Sequence, residues 1–247
     1  MELGADPQIG QAGTRNAQFN QQYSRGRIVQ EAVGNAGCVL DVGAYTGETA
    51  EWFSGLFPNA IIWAIEPFPE SFQALKLISN PRVKAFQFAA TEFNGSAELY
   101  VNAITHTNSL YSLNPESLDS VDISRRRESA PDTRLDFTSH RVEIPARSLD
   151  TFARHEGIQD VDLLKVDVQG AELEVLRGAQ ELLPRTRAIM VEVSLYDYYT
   201  SSSSIGGVEE ILQPHGFSLW AITDISHNPM NGRTDWIELL YLKGGSL

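Results

Sequence analysis

Seven short apolar runs alternate with stretches of helical spacing, and that alternation decides most of what the chain can become. The runs are CVLDV (38–42), IIWAIE (61–66), VKAFQFAA (83–90), VDLLKVDV (161–168), AIMVEVS (188–194), FSLWAI (217–222) and WIELLYL (236–242). They are too short for helices and apolar on both faces, the mark of strands covered on both sides of a mostly parallel sheet. Helical spacing falls between them: Ala50, Phe53 and Phe57 within 46–57, then Phe72, Leu75 and Ile78 before Asn80-Pro81. Leu173, Leu176, Ala179 and Leu183 line up within 170–183, another helix lies around 206–214, and a short one is expected over 23–35. Residues 223–235 carry turn formers and no helical period, so the last two strands are expected to be antiparallel neighbours. The expected fold is α/β: a Rossmann-like, doubly wound, seven-stranded and mostly parallel sheet with its last strand antiparallel, plus an insertion after the third strand.

Residues 91–147 break the alternation and read as an insertion within one domain spanning 23–247, behind a polar tail at 1–22. AELYVN (97–102) looks like an extra strand there, and 114–141 is polar and highly charged. Arg125, Arg126, Arg127, Arg134, Arg141 and Arg147 form either a solvated loop or a lid presenting cations to an anionic acceptor. A single cysteine, Cys38, excludes an internal disulfide and suits a reducing compartment. With no apolar run long enough to span a membrane and no secretory signal, the chain is expected to be cytoplasmic, without membrane insertion. A formal charge of −13 argues against nucleic acid as a partner. Oligomeric state stays open.

The most informative segment is Leu40-Asp41-Val42-Gly43-Ala44-Tyr45-Thr46-Gly47, where a strand turns into a helix. Gly43 allows a tight turn and close approach of a ligand to the backbone, while Gly47 permits close packing of helix on strand. The spacing is D-x-G-x-x-x-G, without the glycines that cradle a pyrophosphate or the lysine of a nucleotide-triphosphate loop. An acid at the start of the turn favours a ligand with a positive centre and no phosphate. Glu66 ends the next strand, where an acid accepts hydrogen bonds from ribose hydroxyls, and Pro67-Phe68 brings an aromatic ring near the sugar or base. Ala89 and Ala90 end the third run as small residues suited to an adenine slot.

Asp41-Val42-Gly43-Ala44-Tyr45-Thr46-Gly47-Glu48 and AIEPFP (64–69) resemble the cofactor motifs of class I methyltransferases. SLDTF (148–152) with LLKVDVQGAELEVLRGA (163–179) closely resembles the hallmark of the FkbM methyltransferase family, and the likeness runs over about 38–195. It implies S-adenosyl-L-methionine as cofactor and a cofactor-binding set of Asp41, Gly43, Ala44, Tyr45, Gly47, Glu66, Pro67, Phe68, Ala89, Ala90 and Asp167. Tyr45 stands where the family often has Asn, and Gln169 where it often has Glu. The resemblance implies methyl transfer to a hydroxyl of a small molecule or glycan acceptor, such as a sugar or natural product.

Methyl transfer to a hydroxyl needs orientation and a place for the proton. Asp167, at the end of LLKVD, is the first candidate base, with a helix-start acid as its alternative role. Glu192 ends the following strand and could share the work, and His106 in the insertion is the histidine best placed to supply a base. No metal is expected, although Asp167 and Glu192 leave open a metal-assisted variant. Two further readings stand beside this one: a nucleotide-dependent oxidoreductase, disfavoured by the glycine spacing, and a noncatalytic module of the same fold.

Overall fold

The computed structural model describes residues 22–102, 104–114, 117, 140–228 and 231–244. In chain order its strands are β1 (Cys38–Val42), β2 (Ile61–Ile65), β3 (Val83–Phe86), β4 (Ala89–Ala90), β5 (Gly95–Val101), β6 (His140–Arg147), β7 (Val161–Val166), β8 (Thr186–Ser194), β9 (Phe217–His227) and β10 (Thr234–Lys243). The helices are α1 (Arg25–Val33), α2 (Glu48–Leu56), α3 (Pro69–Leu75), α4 (Leu149–Glu156), α5 (Glu172–Arg177) and α6 (Ile205–Leu212).

Seven strands form one sheet in the order β3-β2-β1-β7-β8-β10-β9. β1 lies parallel to both β2 and β7, and β10 runs antiparallel to both β8 and β9. The expected sheet, with its reversed last strand, is therefore present. Alternate residues of each central strand feed different cores. Leu40, Val42, Leu164 and Val191 face Phe152, Val175 and Val208 of α4, α5 and α6, whereas Val39, Ile62, Leu163 and Met190 face Val29, Ala50 and Phe53 of α1 and α2. This two-sided burial is why the runs lack polar alternation. The strand order reverses between β1 and β7, the place where open α/β sheets hold ligands.

Three expectations change. The third run does not continue to residue 90: pairing with β2 ends at Phe86, and Ala89-Ala90 pairs instead with Ala146-Arg147. A second sheet, β4-β6-β5, thus grows from the insertion, and β6 is a strand at the end of the insertion, where none was expected. The helix expected over 170–183 stops at Arg177, and Gly178 lies so close to β4's exit that a Cβ there would stand 2.0 Å from the Thr91 carbonyl oxygen. Beyond it, the Asp150 carboxylate accepts from the backbone N–H groups of Glu181 and Leu182, both at 2.9 Å, and turns the chain. Finally, β9 and β10 extend into the expected 223–235 turn, leaving a shorter connection.

The Ser148-Leu149-Asp150 motif is structural: Ser148 caps α4 through the Thr151 N–H at 3.2 Å, while Asp150 makes the bend just described. In the serine run before α6, Ser203 is buried and Ser204 caps the helix. Arg125, Arg126, Arg127 and Arg134 lie outside the described residues; Arg141 pairs with Glu98, and Arg147 lies over the Phe88 ring.

Candidate active site

The tips of β1, β2 and β7 are knitted together by main chain. Gly43 has φ +84°, and a Cβ there would sit 1.8 Å from the Asp167 carbonyl oxygen, so only glycine lets the tips meet. Asp167 N–H donates to the Val42 carbonyl at 3.0 Å, and the N–H groups of Gly43 and Ala44 both donate to the Ile65 carbonyl at 3.0 Å. Tyr45 follows with φ +49°, unusual for a bulky residue, and this aims its N–H at Glu66 Oε2, 2.9 Å away. Phe68 N–H donates to Glu66 Oε1, also at 2.9 Å. Glu66 is buried, and burial pushes its carboxyl up to about 7 despite the opposing pull of these two N–H donors.

The turn after β7 is built just as locally. Glu172 accepts from Val168 N–H (3.1 Å) and Gly170 N–H (3.0 Å), closing the turn beneath the Asp167 side chain. Gly170 has φ +103° and packs under the Tyr199 ring. Lys165, buried in mid-strand, donates to Asp167 Oδ2 at 2.9 Å and lies 3.9 Å from Asp41. Burial opposes its charge, but the two aspartates outweigh burial and raise its pKa. The Gln169 amide nitrogen donates to Asp167 Oδ1 at 2.8 Å and to Glu192 Oε1 at 3.1 Å. Burial first, then the Asp167 charge, holds Glu192 well above the usual carboxylate range.

These elements enclose a cavity of about 530 Å³. Its cover is the segment 104–114, folded back over the strand tips. The Tyr45 hydroxyl bonds Thr105 Oγ1 at 2.8 Å, Ser109 Oγ donates to the Gln169 carbonyl at 2.6 Å, and the Tyr111 hydroxyl donates to Glu174. Gly43, Ala44, Tyr45, Glu66, Pro67, Ala89, Ala90, His106, Asp167 and Glu192 all line the cavity. Most of the expected site is therefore brought together.

Three expected members are not among the lining residues. Asp41 is fully buried on the face turned to Lys165, neither of its oxygens has a hydrogen-bond partner, and burial pushes it up to about 6 against the attraction of Lys165. Gly47 faces α3 and the turn after it, where a Cβ would meet Ile78 at 2.1 Å, so its role is packing. Phe68 is buried with Ala89, Leu99 and Ile144 in the small core under the second sheet. His227 is exposed and bonds Thr234. Cys38 is no nucleophile: burial, then the Asp162 charge, pushes its thiol up to about 11.

Several site residues lie outside the expected set. Lys165 and Gln169 organise the acids, and Tyr196, Tyr198, Asp235 and Trp236 form the wall beyond Glu192. Lys165 had a signal, since a lysine in the middle of an apolar run must find a buried partner. Tyr196 and Tyr198 had one, since rings directly after a strand end can either stack on a flat acceptor or simply pack; Asp235 and Trp236 had none, because β10 and the 195–200 loop meet only in the folded chain. Among the described residues, no three His, Cys, Asp or Glu side chains converge to hold a metal ion.

A doubly wound sheet with one reversed strand, carrying an acid-lined cavity at its switch point, defines a Rossmann-like methyltransferase. Residues 41–219 match the Methyltransferase FkbM domain, and the chain belongs to that family. It is 25% identical over 176 residues to the 2-O-methyltransferase NoeI of Sinorhizobium fredii, covering 70% of each chain. It is 28% identical over 196 residues to the methyltransferase sdnD of Sordaria araneosa, covering 73% of each. The crystal structure of methyltransferase FkbM from Methylobacillus flagellatus KT aligns with a TM-score of 0.49 and 15% identity, over 83% of this chain and 43% of that one.

Proposed function

We propose that this methyltransferase uses S-adenosyl-L-methionine and methylates a hydroxyl of a small molecule or glycan. The observation that carries this reading is the convergence of Glu66, Asp167 and Glu192, from three different strand tips, on one cavity floored by the Gly43 turn. The residues present fit that cofactor. Each Glu66 oxygen accepts one backbone N–H and keeps a lone pair for a ribose hydroxyl. Asp167 is the acceptor for an ammonium group, and Ala89 with Ala90 leaves room for a flat base. Excess carboxylate around the cavity suits a sulfonium. When bound, the cofactor supplies an electrophilic methyl group.

The protein orients the acceptor, excludes water and moves one proton. The 104–114 cover closes the cavity over the strand tips, and exclusion of water strengthens every charge interaction beneath it. Asp167 is already engaged by Lys165 and Gln169, which makes it an anchor. Glu192, held protonated to higher pH than an ordinary carboxylate, is the stronger base once ionised and receives the hydroxyl proton. His106, edge-on to Tyr45 at 6.4 Å, stands at the exposed mouth as the second base. The relative NoeI is a 2-O-methyltransferase, which favours oxygen as the methylated atom. The test is to incubate the protein with methyl-labelled cofactor and fractionated extracts of its host. A product labelled on oxygen is expected; label on nitrogen or carbon, or no cofactor binding in calorimetry, would sink the reading.

A further inference from the structure

We propose that Gln169 is a positioning residue whose side-chain amide yokes Asp167 to Glu192, occupying one oxygen of each and leaving Oε2 of Glu192 to the acceptor. This rests on the reading of Glu192 as proton acceptor. The geometry is specific to an amide. One nitrogen with two hydrogens serves two carboxylate oxygens, at 2.8 and 3.1 Å, while the carbonyl end accepts from the Tyr199 hydroxyl at 2.8 Å. Tyr199 thereby fixes which way round the amide sits, because the flipped amide would turn its oxygen on two carboxylates. The same hydroxyl lies 3.1 Å from the Thr107 carbonyl, and Ser109 Oγ donates to the main-chain carbonyl of Gln169, so the residue that carries the yoke is tied to the cavity's cover through its backbone.

The side chain is not there to make the turn. Glu172 closes the turn through the N–H groups of Val168 and Gly170, and Gly170 supplies the second left-handed residue. Gln169 itself has φ +57°, a region that disfavours residues with a Cβ and that asparagine or glycine would adopt at lower cost. A long amide in that position is explained by what its two ends hold. A carboxylate at the same place would set a third acid against two others and offer no donor to either.

Glu192 is surrounded by Lys165 on β7, Asp167 just past the end of that strand, Glu172 on α5, Tyr199 in the loop after β8, and Glu238 directly opposite on β10. Gln169 is the donor that favours its ionised form from the cavity side, so removing that donor moves Glu192 toward higher pH. The test is a carbon-13 titration of protein labelled at glutamate carboxyl carbons, with Glu192→Gln assigning the resonance. In Gln169→Met, which keeps the length and loses the donor, the Glu192 midpoint is expected to rise by about one unit. Gln169→Glu is expected to raise it further. Tyr199→Phe, which keeps the ring and frees the amide, is expected to move it the same way by less and guards against a misfolded first variant. Unchanged midpoints in folded Gln169→Met and Tyr199→Phe would overturn the yoke. Calorimetry of the unmodified protein with S-adenosyl-L-methionine reports separately on the cofactor reading, so the two failures are distinguishable.

Discussion

Tyr45 and Gln169 are the two described non-glycine residues with left-handed backbone, and they stand on either side of the same cavity. Each offsets its backbone strain with hydrogen bonds: Tyr45 through its N–H to Glu66 and its hydroxyl to Thr105, Gln169 through both ends of its amide. Glu66 depends on the first of these, since its orientation comes from main chain alone. Glu66→Ala should leave folding nearly intact and weaken S-adenosyl-L-methionine binding by about 50-fold or more, as loss of two charge-assisted hydrogen bonds requires. Isothermal calorimetry checks this, and an unchanged affinity would remove Glu66 from the ribose. Gly43→Ala is a different kind of change. Its Cβ would collide with a backbone carbonyl that cannot move without pulling β7 off β1, so a loss of about 3 kcal/mol or more in urea unfolding is expected, with cofactor binding lost alongside.

At the scale of elements, the cavity's cover hangs on a few polar contacts. Tyr45→Phe deletes the bond to Thr105 yet keeps the ring. Global stability should change by about 1 kcal/mol or less, while amide exchange across 104–111 accelerates. Equal exchange in both proteins would mean that this hydroxyl does not hold the cover. The elements also show what a sequence discloses. The seven central strands were legible because burial on both faces leaves uninterrupted apolar runs, and Glu66, Asp167 and Glu192 were legible because they are acids at or near the ends of such runs. The break between β3 and β4 was not, since VKAFQFAA reads as continuous and only pairing with Ala146 and Arg147 divides it. Nor was the early stop of α5, beyond which the distant Asp150 carboxylate turns the chain. Asp41 and Gly47 looked like ligand residues for a related reason. Their spacing is a turn signature, but the side each one faces is decided by packing on Lys165 and α3.

Over the whole molecule, excess negative charge meets a buried cluster of acids. Asp41 and Glu66 are raised to about 6 and about 7, so the folded chain holds protons there that the unfolded chain has already released. Their contribution to stability is complete below the ordinary carboxylate range and is withdrawn as pH climbs through about 6 and then about 7. The ligand-free protein is therefore expected to melt at a higher temperature near pH 5 than near pH 8, with Glu66→Gln flattening the profile. A melting temperature that rises over that interval would contradict the assignment. Cofactor affinity should run the opposite way, improving as Glu66 ionises.

That ring of strand-tip carboxylates carries a consequence for turnover. A sulfonium that gives up its methyl group becomes a neutral thioether, while Glu66, Asp167 and Glu192 stay where they are. With the proposed cofactor, the cradle's electrostatic grip would relax once the methyl is transferred, and the spent nucleoside would be unloaded without any strand having to shift.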